Sequence, residues 1–300
     1  MFKSKNKIEN VMAAVFFFCG IVSIMAVFAI TLYMIISGVP AITKVGLLEM
    51  LFTTTWAPTA ADPKFGILYI ILTSIVGTIL AIIIGVPIAV LTAIFLSELA
   101  PKRLAGIVKP AVELLAGIPS VVYGLLGILI VKPLVYKLEL LIFAGNPEHQ
   151  MTGGANLISA VFVLAIMILP TVVNVSENAL RAVPKHLRSS SYALGATEIS
   201  TVFKVTLPAA SSGIITAIVL GVGRAIGEAM AITMVAGNSV NLPLPFSSVR
   251  FLTTGIVSEM SYSSGLHRQA LFTIGLVLFL FIMIINIILN TTLKKAGETE

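Results

Sequence analysis

The sequence predicts an all-α integral membrane protein with six transmembrane helices, and three observations carry that reading. Apolar residues make up 58% of the chain and charged residues only 11%, against about one quarter charged in a soluble domain. Six segments reach the roughly 20 apolar residues that a spanning helix needs. The basic residues behind the net charge of +6 cluster beside those segments, which fits membrane topology rather than a nucleic-acid partner.

The first segment, residues 11–36, follows Lys3, Lys5 and Lys7. It is too long for a signal-peptide core, and no A-x-A site follows it before the next polar segment, so it reads as a retained span. Cys19 within it is the one cysteine. It makes no internal disulfide or metal cluster and is expected to face lipid or another helix. The outer segment TTTWAP carries the one tryptophan, Trp56. Two roles are open for it, an interfacial anchor or a contact with an external partner.

Segments two and three, residues 66–96 and 107–135, exceed one bilayer thickness and must tilt, bend or overhang. Pro87 and Pro119 remove backbone donors inside them, which is tolerated where a neighbouring helix or a polar cavity satisfies the freed carbonyls. Segment four is 155–173, and Asn174 and Glu177 beyond it read as a solvated overhang. Segments five and six are 209–236 and 270–293. Residues 1–300 therefore read as one membrane domain, with its core at 66–293.

Charge sets the expected orientation. With the N-terminus inside, 12 of the 19 basic residues fall on the cytoplasmic side and 6 outside, with Arg224 within a span. Both termini are thus expected in the cytoplasm, as an even span number requires.

Signatures of catalysis are missing: there is no HExxH, GxSxG or Walker A pattern. His149, His186 and His267 all lie in loops and read as solvated. The chain is expected to hold no catalytic site, metal or cofactor. An ATP-driven process would need its nucleotide site on another chain.

The cytoplasmic segment RAVPKHLRSSSYALGATEISTVFKVTLP, residues 181–208, is more specific. Pro184 can open a short helix, and Gly195 can end it in the left-handed conformation. Thr197 can cap a second helix with Glu198 in its first turn. Ile199, Val202, Phe203 and Leu207 then share one face at helical spacing, and Pro208 opens the fifth span. Periodicity alone leaves this face free to pack on its own membrane domain or on something else.

Here the chain resembles the permease subunits of bacterial ABC importers, whose cytoplasmic motif is EAA-x3-G-x9-I-x-L-P. Gly195, Val205, Leu207 and Pro208 match its spacing, while Ser189, Ser190 and Ser191 replace the EAA residues, so the acidic side chain is missing. The resemblance implies the MetI-like type I importer fold. It also implies that the element at 185–207 docks on an ATPase subunit. The segments GVGRAIGEAMAITMVAGN at 221–238 and AGIPSVVYGL at 116–125 narrow the likeness to phosphate importer permeases of the PstC type. That likeness runs over roughly residues 10–293. It implies a second, PstA-like permease, a cytoplasmic PstB-like ATPase dimer and an extracytoplasmic PstS-like phosphate-binding protein, in a bacterial cytoplasmic membrane.

The residues of the fifth span support an anion path independently. Arg224 and Glu228 are four apart, hence on one face of a continuous helix. If lipid begins near Ser212, Arg224 lies roughly 18 Å in, near the midplane. A charge there costs about 2.5–3.5 kcal/mol and is expected to be paired or to face water. Glu228 is the local partner, and the pair either lines a pathway or locks the bundle. Gly223 and Gly227, extended by Ala225 and Ala229, offer a small surface for close helix approach. Ser120 and Tyr123, after the Pro119 break, either offer hydroxyls to an anion or pack. Lys109 and Glu113, also four apart, read as a snorkelling surface pair.

The expected function is therefore ATP-driven phosphate import with no bond chemistry on this chain. The rivals are a permease for sulfate, molybdate or phosphonate, an ion-driven secondary transporter, which would need no docking loop, and an intramembrane enzyme, which would need a constellation not found in the spans.

Overall fold

The computed structural model describes residues 7–297; Lys3, Lys5 and the extreme termini, used above for orientation, lie outside the described residues. A 39-residue helix, α1 (Lys7–Val45), leads into a short α2 (Leu47–Phe52). Strands β1 (Trp56–Ala57) and β2 (Lys64–Phe65) pair antiparallel, with Trp56 opposite Phe65. Next comes α3 (Leu68–Ile94), which runs on through a π-helical turn, Phe95–Leu99. After it come α4 (Lys102–Gly117), α5 (Ser120–Leu126), a π-helical turn Gly127–Val131, and α6 (Lys132–Phe143). The long α7 (Leu157–Ala182) is followed by α8 (Lys185–Ala193), α9 (Glu198–Thr201), a third π-helical turn Val202–Thr206, and α10 (Leu207–Ala209). The chain closes with α11 (Ser211–Gly227), α12 (Met230–Val235), α13 (Leu252–Glu259) and α14 (Gly265–Gly297).

Among the described residues four helices are long and apolar enough to cross a membrane, and the number reaches six if each of two bent pairs is one span. The predicted third segment is one such pair. Its two arms, Lys102–Gly117 and Ser120–Phe143, meet at 103°. Ile118 is extended, with φ −70° and ψ 130°, because the ring of Pro119 disfavours the helical region in the residue before it. The carbonyl of Leu115, freed by the break, accepts the Tyr123 hydroxyl at 2.7 Å. Pro87, by contrast, is carried inside α3 without ending it. The fifth segment also departs from expectation. Pro208 does not open it; α9 to α10 form an arm bent 70° from α11, and the helix ends at Gly227.

Helix α7 is the axis of the bundle, buried along most of its length, with α3 and α11 packed against it. Its central core joins Leu164, Met167 and Ile168 to Ala225 of α11, Ile232 of α12 and Phe251. A second core joins Val172 and Leu180 to Ala89 of α3 and Ile214 of α11. Close approach is made by Gly221, where a Cβ would meet Val172 Cγ2 at 2.6 Å, and by Gly213, where it would meet Ala179 Cβ at 2.4 Å. Within the chain the predicted GxxxG step makes no helix contact. Gly223 and Gly227 face open space, because the packed face of α11 runs through Ile214, Ala217, Gly221 and Ala225, a half-turn away.

The overhang predicted after the fourth segment is instead the continuation of α7. Glu177 is buried at 2% exposure; it receives Lys109 Nζ at 2.8 Å and pairs with Arg181. Lys109 thus reaches across to α7 rather than to Glu113, which stays exposed. Burying a carboxylate without its cations is prohibitive, so the tertiary contact replaces the local one. Cys19 is exposed on α1, as expected for a residue facing lipid or another helix.

Candidate functional site

The breaks after Gly117 and after Gly227 lie together. Helix α5 packs on α12 closely enough that a Cβ on Gly124 would meet Ala231 Cα at 2.9 Å. Two helix N-termini and the ends of α4 and α11 therefore converge beside α7, a placement in which non-helical backbone within a span lines a cavity or is buried in protein.

Arg224 occupies the last turn of α11, where the helix dipole favours a cation. Its Nη1 donates to Thr171 Oγ1 of α7 at 3.2 Å, and the side chain is half-buried. Tyr123 is buried within coulombic reach of Arg224, and Ser120 is half-buried at the first position of α5. The Tyr123 hydroxyl proton is committed to Leu115, so this group can only accept from a further donor.

The predicted Arg224–Glu228 pair is not formed. Glu228 is extended, with φ −72° and ψ 131°, which rotates it off the face that Arg224 shares with the helix. Its Oε1 accepts the Ala231 N–H at 2.9 Å, and its carbonyl accepts the Thr253 hydroxyl at 2.6 Å. Glu228 thus caps α12, as a carboxylate at a helix N-terminus does, and ties the break to α13. Arg224 has no ion pair among the described residues.

The helix–Gly–helix element forms at the far end of α7. Pro184 stands just before α8, and Gly195 ends that helix with φ +82°. Thr197 Oγ1 accepts the Ser200 N–H at 3.3 Å as the cap of α9. The Ser189 hydroxyl donates to the His186 carbonyl at 3.0 Å, Ser191 and Thr201 join hydroxyl to hydroxyl at 2.8 Å, and Ser190 is exposed. The shared apolar face is split. Val202 is buried and Leu207 half-buried, with Val205 half-buried between them, whereas Ile199 and Phe203 are exposed at 64% and 49%. The π-helical turn at Val202–Thr206 adds a residue to the turn and rotates the two halves apart. Leu194, exposed at 89%, joins Ile199 and Phe203 in an uncovered apolar rim, while Pro208 is exposed behind it.

Sequence reasoning missed what anchors this element. Arg188 Nη2 donates to Glu98 Oε1 at 2.7 Å and to the Leu180 carbonyl at 2.8 Å, and Nη1 donates to the Val183 carbonyl at 3.2 Å. One guanidinium so joins α8 to the end of α3 and the end of α7. Replacing Arg188 by Ala is expected to lower the unfolding free energy of the purified chain by roughly 1.5–3 kcal/mol, the range for hydrogen bonds to a charged group. The loss is read as a fall in thermal midpoint in detergent, with a smaller loss for Arg188→Lys.

Two further clusters were also missed, and in both the visible signal was an acidic residue in an apolar neighbourhood. Glu259 accepts Trp56 Nε1 at 3.0 Å and His267 Nε2 at 2.8 Å, and pairs with Arg250. The indole N–H is thereby used within the chain, and His267 is buried rather than solvated. Burial raises the pKa of the nearby Tyr262 phenol, with the Glu259 carboxylate adding to the rise and Arg250 opposing it. Glu139, fully buried, gathers the Thr152 N–H and hydroxyl and His149 Nε2, the last at 3.0 Å. His149 also stacks on Phe143, at 3.8 Å between centroids. Of the three histidines only His186 is solvent-exposed.

Residues 85–295 match the family described as "Binding-protein-dependent transport system inner membrane component". The chain is 39% identical over 277 residues to the probable ABC transporter permease protein YqgH of Bacillus subtilis, covering 89% of this chain and 86% of that one. It is 35% identical to the phosphate transport system permease protein PstC of Pasteurella multocida, covering 84% and 81%. It is 33% identical to the Haemophilus influenzae protein of that name, covering 92% of each. A chain of a bacterial alginate ABC transporter superposes with a TM-score of 0.64 at 16% identity, covering 94% of this chain and 95% of that chain. A chain of the MetNI methionine ABC transporter superposes with 0.53 at 20% identity, covering 77% and 94%. At those identities the likeness shows the fold, an all-helical MetI-like ABC permease.

Proposed function

The chain belongs to the family of binding-protein-dependent transport system inner membrane components, and on that premise we propose that it is the PstC-type permease of an ATP-driven phosphate importer. Membership makes it a multi-pass inner-membrane transport subunit without a catalytic site of its own. The observation that carries the phosphate reading is Arg224, a guanidinium with no ion pair among the described residues, at the meeting point of two broken helices. A charge kept there without a carboxylate is expensive, and an anion passing through the site would offset that cost. A guanidinium also presents paired planar donors to the oxygens of phosphate. The named relatives from Pasteurella and Haemophilus support the same anion. Sulfate, molybdate and phosphonate share its charge and size class and remain the competing substrates.

In this reading Ser120 contributes a hydroxyl to the path, and Tyr123 and Glu228 hold the two breaks in shape. A second permease of PstA type completes the pathway. A PstB-like ATPase dimer covers the rim of Leu194, Ile199 and Phe203, with Ser189–Ser191, Gly195, Val205, Leu207 and Pro208 forming its support. A PstS-like binding protein delivers phosphate from the opposite side. Both termini and the α8–α10 element lie in the cytoplasm.

The test is uptake of labelled phosphate by cells stripped of other phosphate transporters and expressing the whole complex. Uptake is expected to depend on this chain and to resist a hundredfold excess of sulfate or molybdate; competition by either would reassign the substrate. For orientation, a cysteine placed in the 237–268 segment is expected to react with an impermeant thiol reagent in intact cells. Labelling only after permeabilisation would invert the topology.

A further inference from the structure

Beside the Arg188 anchor, the ends of α3, α4, α7 and α8 frame an open groove of about 580 Å³. It adjoins a second of about 490 Å³ that runs along α4, the two sharing Lys102, Ala105 and Arg181. Five cations, Lys102, Lys109, Arg181, Lys185 and Arg188, line the two together, and only Glu98 and Glu113 oppose them on the walls. Three of the five are already used: Arg188 pairs with Glu98, and Lys109 and Arg181 pair with Glu177. Lys102 and Lys185, from two different helices, form no ion pair among the described residues and are exposed. Ala105 lines both hollows and Gly106 the second, and a Cβ on Gly106 would meet nothing within 4 Å.

The level of the groove selects the ligand. It lies where α7 ends at Ala182 and α3 with its π-helical turn ends at Leu99, so it stands where the bundle leaves the apolar layer. Between the cations the wall is apolar, through Leu96, Ala100 and Ala105 in the first hollow and through Ala105, Gly106 and Pro110 in the second. Basic residues around an apolar wall at a span end match an anionic lipid, headgroup against the cations and acyl chain along that wall. A free anion would use the cations and leave the apolar side uncovered.

We infer that the groove between α4, α7 and α8 is a binding site for an anionic glycerophospholipid, with Lys102 and Lys185 holding its phosphodiester. Such a lipid would lie against the Arg188 anchor of the α8–α10 element. This inference needs the membrane but not the phosphate reading, and it stands or falls separately from it.

The test uses the whole importer complex, reconstituted in nanodiscs of phosphatidylcholine with one fifth phosphatidylglycerol and then extracted in mild detergent. Co-purifying lipid is counted by mass spectrometry. Phosphatidylglycerol is expected to be enriched over its share in the bilayer. Affinity is expected to fall about thirtyfold in the Lys102→Gln, Lys185→Gln double variant, from a factor of about five for each basic side chain near an anionic surface. Lys137→Gln, at an exposed lysine on α6, is expected to change nothing. Neither lysine of the double variant is in an ion pair, so the complex should assemble, which its yield checks. Ten-millimolar inorganic phosphate is expected not to displace the lipid. Three results would overturn the inference: no enrichment in the unaltered complex, equal retention by the double variant, or displacement of the lipid by inorganic phosphate, which would make the groove a free-anion site.

Discussion

Arg224→Gln is expected to abolish phosphate uptake, by more than about a hundredfold, while the complex assembles at normal abundance. Removing one partner of a desolvated charge pair costs roughly 3–5 kcal/mol, and in the proposed reading the partner is the anion in transit. Assembly should survive because, among the described residues, the guanidinium hydrogen-bonds to Thr171 and stands in no ion pair whose loss would strand a buried carboxylate. Arg224→Lys keeps the charge but not the planar pair of donors and is expected to fall between. Thr171→Val removes the hydroxyl that aims the guanidinium and should lower uptake a few-fold, in line with one hydrogen bond of about 1 kcal/mol. Glu228 separates the proposal from a structural lock. Its Oε1 accepts from Ala231, and a glutamine amide oxygen can do the same, so Glu228→Gln is expected to retain most uptake. Glu228→Ala, which removes the cap, should destabilise by about 0.5–2 kcal/mol. Normal uptake by Arg224→Gln at normal abundance would reduce the residue to a packing role.

Gly195→Val is expected to separate ATP hydrolysis from uptake. The φ of +82° at this position costs an L-residue roughly 1–2 kcal/mol, and a β-branched side chain is the worst tolerated there. Because a Cβ at Gly195 meets nothing within 4 Å, the effect is conformational rather than a clash. The turn would relax, and Leu194 and Ile199 on either side of it would no longer present one rim. Uptake should fall at least about tenfold, the factor for 1.4 kcal/mol, and the complex should lose stimulation of its ATPase by loaded binding protein while basal hydrolysis persists. Gly195→Asn, whose side chain tolerates the left-handed region, is expected to be the mildest substitution. Unchanged stimulation and uptake in Gly195→Val would remove this element from the coupling path.

Periodicity and composition were enough for the all-helical membrane class, for the helix–Gly–helix element and for the caps at Gly195 and Thr197. Each of these depends on residues close in sequence, through propensity, capping and the steric cost of a positive φ. The Pro119 break was legible for the same reason, since a proline acts on its immediate neighbour. Pro87 shows the limit: the identical residue is absorbed in α3, and nothing local to it says so.

What the sequence could not determine rests on partners distant along the chain. The Arg224–Glu228 pair assumed a continuous helix, but the helix ends at Gly227: Glu228 is extended, and Met230–Val235 form a separate short helix packed on α5, with Glu228 tied to α13 through Thr253. Glu177 belongs to Lys109, 68 residues away, and Arg188 to Glu98, 90 residues away. Trp56 and His267 meet on Glu259 from opposite ends of the chain. The physical reason is common to all four. A buried carboxylate must be neutralised or fully hydrogen-bonded, and which cation or donor reaches it depends on how the helices pack. Helical spacing along one segment can fix which residues share a face, but only tertiary packing decided that Arg224 would stand without a carboxylate partner among the described residues.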